Sequence, residues 1–316
     1  MNSSAAKPAW SVRLLLLGLM VTHVSVTGFG YVVNRLATQE FNPFAYAFWR
    51  LCVGIVGLVA LMSLTKSWKR IDRADYPRIL LLALVAVPIN QVIYLVGISK
   101  TMPSHASLLY GTTAVFALFL SAALGYEKIL KHKIFAIVVS LGGLVVIVTQ
   151  GGEFDTGSQL FIGDVLIFTA VLAWATYTVL GKPIVKKYGA ISTTGVVLLV
   201  GSFVGLPFLA YPALQQDYSS ITWVGWGGVF YAGLVLSVLA YSVWYKILTM
   251  IDPSQVAILT TPQPVVATTF STFIVGEIIG WPLVVGGILV IAGIVLMDAP
   301  AFARRANSLR KRVLAK

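Results

Sequence analysis

Apolar residues run along this chain in long blocks, without the spaced stripes of a water-soluble helix, and short polar stretches separate them. Ten blocks are long enough to cross a hydrocarbon core of about 30 Å. They fall at 12–34, 43–65, 78–99, 104–125, 131–149, 162–182, 190–213, 222–247, 254–276 and 281–298. Only short turns at Pro103 and Pro253 part the third block from the fourth and the eighth from the ninth. The first block runs on to Val33 without a cleavage box and many more follow, so it reads as a membrane helix and not as a signal peptide.

The blocks repeat. Pro103, Ser104, Leu109, Val115, Ala117, Ser121 and Glu127 recur 150 residues later as Pro253, Ser254, Leu259, Val265, Ala267, Ser271 and Glu277, and the register continues to Gly143 and Gly293. A unit of five spans that starts on one face of a membrane ends on the other, so its copy must lie inverted. Inverted units give a carrier two related conformations that open a central site to each side in turn. The expected fold is therefore an all-α integral membrane protein, with ten transmembrane helices as two inverted five-helix repeats around a central cavity. Its expected divisions are an N-terminal tail at 1–11, repeats at 12–149 and 162–298, a linker at 150–161 and a basic tail at 299–316.

Composition sharpens this. Hydrophobic residues are 58% and charged residues 11% of 316, against about 25% charged in a soluble domain. The net charge of +12 invites a nucleic-acid partner, but its distribution argues for none. With an inside N-terminus, 20 of the 23 Lys and Arg residues face one side, leaving Arg35, Arg50 and Lys100 opposite. That asymmetry predicts a protein of the cytoplasmic (inner) membrane with both termini cytoplasmic and the tail anchored near anionic lipid. The single cysteine, Cys52, precludes an intramolecular disulfide, and no Cys/His spacing suggests a metal.

Trp174-Ala175-Thr176-Tyr177, the Gln263-Pro264 step, Gly276-Glu277, and Gly286 followed by Gly293 resemble the EamA-type drug/metabolite transporter superfamily. The resemblance spans about Leu14 to Met297. It implies a ten-helix basket whose helices 1, 3, 4, 6, 8 and 9 surround the cavity, and export of amino acids and other small metabolites. The chain departs from the pattern at Ala114, where a proline matching Pro264 is usual, and at Gly28-Phe29-Gly30, where a Trp-Gly step is usual. A symmetric pair of proline hinges is therefore not expected, and Gly111 is the candidate for flexibility in the fourth block, with Pro262 and Pro264 in the ninth.

Polar and aromatic side chains at membrane depth need partners or a purpose. The candidates for solute binding are Asn90, Gln91, Tyr94, Tyr110, Thr113, Trp174, Tyr177, Tyr241, Trp244 and Gln263, with Gln91 matching Tyr241 and Thr113 matching Gln263 in the repeat. Such groups suit a neutral or zwitterionic solute; the competing reading is interhelical hydrogen bonding. Arg50 reads first as snorkelling to the outer headgroups and second as an outer gate attracting a carboxylate. No Asp, Glu or Lys lies mid-span, Glu127, Asp164 and Glu277 falling at block ends. His23 is then the candidate for proton coupling, and facilitated diffusion or exchange is the expected mechanism. Without deep basic residues, sugar phosphates are disfavoured.

The function expected is thus a transporter working by alternating access, with no cofactor. Its partners are a small-molecule solute and membrane lipids, and Gly201, Gly205 and Gly142-Gly143 suit packing within the chain or a homodimer. Alternatives are a carrier or flippase for lipid-linked groups and a non-transporting scaffold. An enzyme is not expected, because three scattered histidines and one cysteine supply no nucleophile–base pair.

Overall fold

The protein is described here, as a computed structural model, over residues 9–126, 131–149, 158–251, 253, 256, 262–293 and 295–296. Glu127, Lys128, residues 150–157 of the linker, Ser254, Leu259, Thr260, Thr261 and the tail from 299 lie outside the described residues. Among the described residues all regular structure is helical. The helices are α1 (Ala9–Glu40), α2 (Pro43–Leu64), α3 (Arg73–Ile98), α4 (Pro103–Ala123) and α5 (Lys131–Val148). They continue as α6 (Gln159–Tyr188), α7 (Ala190–Gln215), α8 (Trp223–Leu248), α9 (Gln263–Val275) and α10 (Trp281–Gly293).

Seven of these, α1 to α4 and α6 to α8, are long and apolar enough to cross a membrane; α5, α9 and α10 are shorter apolar helices. Each of these three shorter helices borders residues outside the described ones, so the count of full spans covers the described residues alone. Among the described residues α9 follows a turn at Pro262 and ends at Gly276, whose φ of 75° is left-handed, and Pro253 and Val256 before it are helical too.

Start and stop signals explain the other ends. Pro43 and Pro103 open α2 and α4 at a first turn, where a missing N–H costs nothing. Asn42, Ser158 and Thr222 cap α2, α6 and α8 by accepting from Phe44 N, Phe161 N and Val224 N. Gly189 at φ 87° is the whole connection between α6 and α7.

Three helices widen into π-helical turns, at Val85–Val92, Tyr231–Ala240 and Ser271–Val275. In α3 the cause is Pro88, which cannot donate to the regular ladder. In α8 the Ser237 hydroxyl donates to Ala232 O at 2.9 Å. Such turns rotate the residues that follow, and they bring Asn90, Gln91 and Tyr241 toward the centre.

The bundle is apolar outside and keeps its membrane-depth polar groups inside an apolar core. Val21, Val56, Phe203, Phe208, Leu214, Phe273 and Ile288 are exposed, whereas His23, Asn34, Arg50, Asn90, Gln91, Asp164 and Gln263 are buried. That arrangement fits a lipid solvent, and the protein is an integral membrane protein. Glycines bring helices of the same chain together: a Cβ on Gly143 would stand 2.5 Å from Gly286 O, and one on Gly201 2.6 Å from Ala83 O.

Candidate functional site

Seven helices converge on a central cavity of about 90 Å³. A single water needs roughly 10–15 Å³, so the space holds several waters or a small solute. From α1 come His23, Thr27, Gly30, Tyr31 and Asn34, and from α3 Asn90, Gln91 and Tyr94. Tyr110 and Thr113 of α4, Trp174 of α6, Leu236, Ala240 and Tyr241 of α8, and Gln263 of α9 complete most of the wall. Arg50 of α2 also lines it. The resemblance implied helices 1, 3, 4, 6, 8 and 9; α2 is an addition.

Asn90 is the hub. Its Nδ2 donates to Tyr110 OH at 2.9 Å and to Ala170 O at 2.8 Å, and its Oδ1 accepts from Tyr241 OH at 3.0 Å. One amide thereby ties α3, α4, α6 and α8. Gln91 beside it is 3% exposed, and its Oε1 has no hydrogen-bond partner among the described residues. Gln263 Nε2 donates to Thr27 Oγ1 at 2.6 Å, and Thr27 in turn donates to His23 O.

Tyr31, Tyr94 and Tyr110 pack edge to face with centroids 5.7–6.1 Å apart. Asn34 sits beside them, donating to Tyr94 OH and accepting from Tyr46 OH. On the other side Trp174 meets Tyr241 at 4.9 Å.

Two candidates stand behind this wall instead of in it. Tyr177 stacks between Trp174 and Tyr245, at 5.3 and 4.6 Å, and Trp244 donates to Thr178 Oγ1 at 3.1 Å. His23 packs on Trp244 at 5.0 Å with its Nδ1 3.2 Å from Ala240 O. Gly111, Pro262 and Pro264 are not among the residues lining the cavity; Gly111 flanks a break in α4, and the two prolines stand at the start of α9 as described. In α4 the break is at Thr112, whose hydroxyl donates to Leu109 O, while Thr113 donates to Tyr110 O. The α4 break thus falls where the repeat register places Pro262 of α9, and threonine hydroxyls line it.

Arg50 corrects two expectations. It does not snorkel: it is 3% exposed, and its Nε donates to Ser237 Oγ at 3.1 Å. Four tyrosines, Tyr46, Tyr94, Tyr110 and Tyr241, lie within range of its charge. A basic group therefore does reach the cavity. The α8 π-turn explains this, because it turns Ser237 toward α2.

Sequence reasoning also missed Tyr31, Gly30, Leu236 and Ala240 as lining residues. The α1 stripe was readable, since His23, Thr27, Tyr31 and Asn34 recur at helical spacing in an apolar segment. A second cluster was missed as well: Asp164 accepts from Thr101 and lies 3.0 Å from His105 Nδ1. Glu277 accepts from Ser104 and Ser271.

The EamA-like transporter family matches residues 14–149 and again 161–297. The chain belongs to this family. An uncharacterized transporter of Archaeoglobus fulgidus is 26% identical over 85% of this chain and 92% of its own length. Uncharacterized transporter YetK of Bacillus subtilis is 28% identical, covering 84% and 83%. A WAT1-related protein of Arabidopsis thaliana is 24% identical over 90% and 81%. A solved crystal structure superposes with a TM-score of 0.65 at 14% identity, over 89% of this chain and 98% of that one; it bears on the fold alone. This EamA-like protein is a membrane transporter by family and not an enzyme.

Proposed function

We propose that this EamA-like protein carries small metabolites, amino acids or related solutes, out of the cell by alternating access. The observation that carries the reading is the buried polar and aromatic cavity, where helices from both family-matched segments meet inside an apolar bundle. A pore would need a continuous wet path, whereas a central pocket of this size suits a carrier that opens to one side at a time.

The finer architecture belongs to the same proposal. Ten spans form two inverted five-helix units at 12–149 and 162–298, lying in the cytoplasmic membrane with both termini inside. The twofold family match, the shared 150-residue register and the asymmetry of basic residues support it. The solute meets Asn90, Gln91, Tyr94, Tyr110, Thr113, Trp174, Tyr241 and Gln263, with Tyr177 and Trp244 bracing Trp174. Gly111 beside the break at Thr112 in α4, and Pro262 and Pro264 in α9, act as the hinges.

A second reading is a carrier of lipid-linked groups. It is favoured by another cavity of about 400 Å³, lined by Met102, Leu160, Ile278 and Leu283 among others, beside the exposed face of Ile278. Counterflow in liposomes with labelled amino acids, nucleosides and sugars, with and without a pH gradient, separates the two. Saturable exchange of one water-soluble class supports the metabolite carrier. A folded protein that exchanges none favours the lipid-linked reading.

A further inference from the structure

Arg50 is a buried cation without a counter-ion. Among the described residues its guanidinium makes one hydrogen bond, from Nε to the neutral Ser237 hydroxyl, and no carboxylate pairs with it. Guanidinium is charged at every physiological pH and presents a fork suited to a carboxylate. Of the described residues lining the cavity it is the only permanently charged one. Removing such a charge from water is expensive unless something in the site compensates it. The tyrosines around it offer partial relief through their oxygens, not a negative charge.

The same wall holds a second unpaired group of opposite character. Gln91 Oε1 is a buried acceptor with no donor, and an unmade hydrogen bond at such a place costs free energy. A ligand satisfies both groups if it brings one negative charge and, elsewhere on its skeleton, one N–H or O–H.

We infer that the transported solute must carry a single carboxylate, held by Arg50, and a hydrogen-bond donor of either kind, held by Gln91. This rests on the transporter reading above and narrows it. Uncharged sugars and nucleosides leave Arg50 uncompensated. Dianionic phosphates bring more charge than one arginine matches. Amino acids fit, and so do the hydroxy acids of the same skeleton, because an amide oxygen accepts from a hydroxyl as well as from an ammonium.

The test is counterflow in liposomes with matched sets: alanine, valine and phenylalanine, the corresponding 2-hydroxy acids, and the corresponding amino-acid amides. Expected is exchange of at least one amino acid and its hydroxy acid within about threefold of each other, with the amide slower by about tenfold or more. Arg50→Gln removes that preference, and Arg50→Lys keeps part of it. The wild-type comparison needs no variant, so a folding defect in Arg50→Gln does not spare the inference. An amide exchanged as fast as its acid, or folded Arg50→Gln with the wild-type preference, overturns it. Exchange of sugars, nucleosides or amines with no carboxylate also overturns it and leaves the transporter reading standing. Exchange of no compound at all by folded protein overturns both this inference and the metabolite reading, and favours the lipid-linked carrier.

Discussion

Thr112 and Pro262 stand 150 residues apart and share a backbone conformation, with φ −70° and ψ −6° at the first and φ −73° and ψ −13° at the second. Thr112 separates the two helical segments of α4, and Pro262 is the turn residue before Gln263 at the start of α9 as described. Proline has no N–H to donate; Thr112 donates both its N–H and its hydroxyl to Leu109 O. Thr112→Pro gives up that N–H bond at a φ proline already accepts, so a loss of about 1 kcal/mol is expected. Proline at Ala117, inside the following helix, should cost about 3 kcal/mol or more. Thermal unfolding of the two variants in detergent checks this, and equal losses would show that position 112 is ordinary helix.

Asn90→Ala removes donors from Ala170 O and Tyr110 and an acceptor from Tyr241 in one step. Each buried group left unsatisfied costs about 1–3 kcal/mol, so a loss of several kcal/mol is expected. Tyr110→Phe and Tyr241→Phe should lose about 1 kcal/mol each. Unfolding midpoints that rank the tyrosine variants below Asn90→Ala would contradict the hub.

Helix order and most helix ends were legible in the sequence, because hydropathy and Pro, Gly and Asn signals act locally. The long α2 expected at 43–65 is observed at Pro43–Leu64. Rotation was less legible. Hydropathy cannot tell that the π-turn of α8 aims Ser237 at Arg50, and depth alone suggested an arginine reaching for headgroups. Nor could chain position pair His105 with Asp164, 59 residues away, since that contact exists only once α4 and α6 pack. Gln91, Tyr241, Thr113 and Gln263 were found because the repeat register marked them and they were polar where lipid would reject them.

Gly142 and Gly143 are neighbours with opposite surroundings. A Cβ at Gly143 meets Gly286 O at 2.5 Å and Val290 N at 2.7 Å, both backbone atoms that cannot swing aside; at Gly142 nothing lies within 4 Å. Gly143→Ala should separate α5 from α10 and lower folded yield. Gly142→Ala should be neutral or stabilising by about 0.5–1 kcal/mol through helix propensity. Folded yield by size-exclusion chromatography reads both, and equal behaviour would refute the close crossing.

Gln263→Ala removes a cavity-lining amide and its bond to Thr27. It is expected to lower exchange with folded yield kept. Ser121→Ala should do little to exchange, since its buried hydroxyl has no hydrogen-bond partner among the described residues. Parallel loss of yield and exchange in Gln263→Ala would identify it as a packing residue.

His23 and Asp164 are both buried, and their surroundings differ in kind. His23 has one backbone carbonyl and an indole for company, so His23→Phe keeps the ring packing and should lose about 1 kcal/mol. Asp164 holds His105 and Thr101, and Asp164→Ala strands both, for an expected loss of about 3–5 kcal/mol. Asp164→Asn keeps the shape and removes the charge. Exchange is expected to be indifferent to a pH gradient, because no carboxylate lines the cavity among its described residues. Should a gradient accelerate it, the arrangement assigns the effect to the His105–Asp164 pair: His23→Phe retains the acceleration and Asp164→Asn abolishes it. The reverse pattern would make His23 the coupling group, since only a relay through α1 would then account for the gradient.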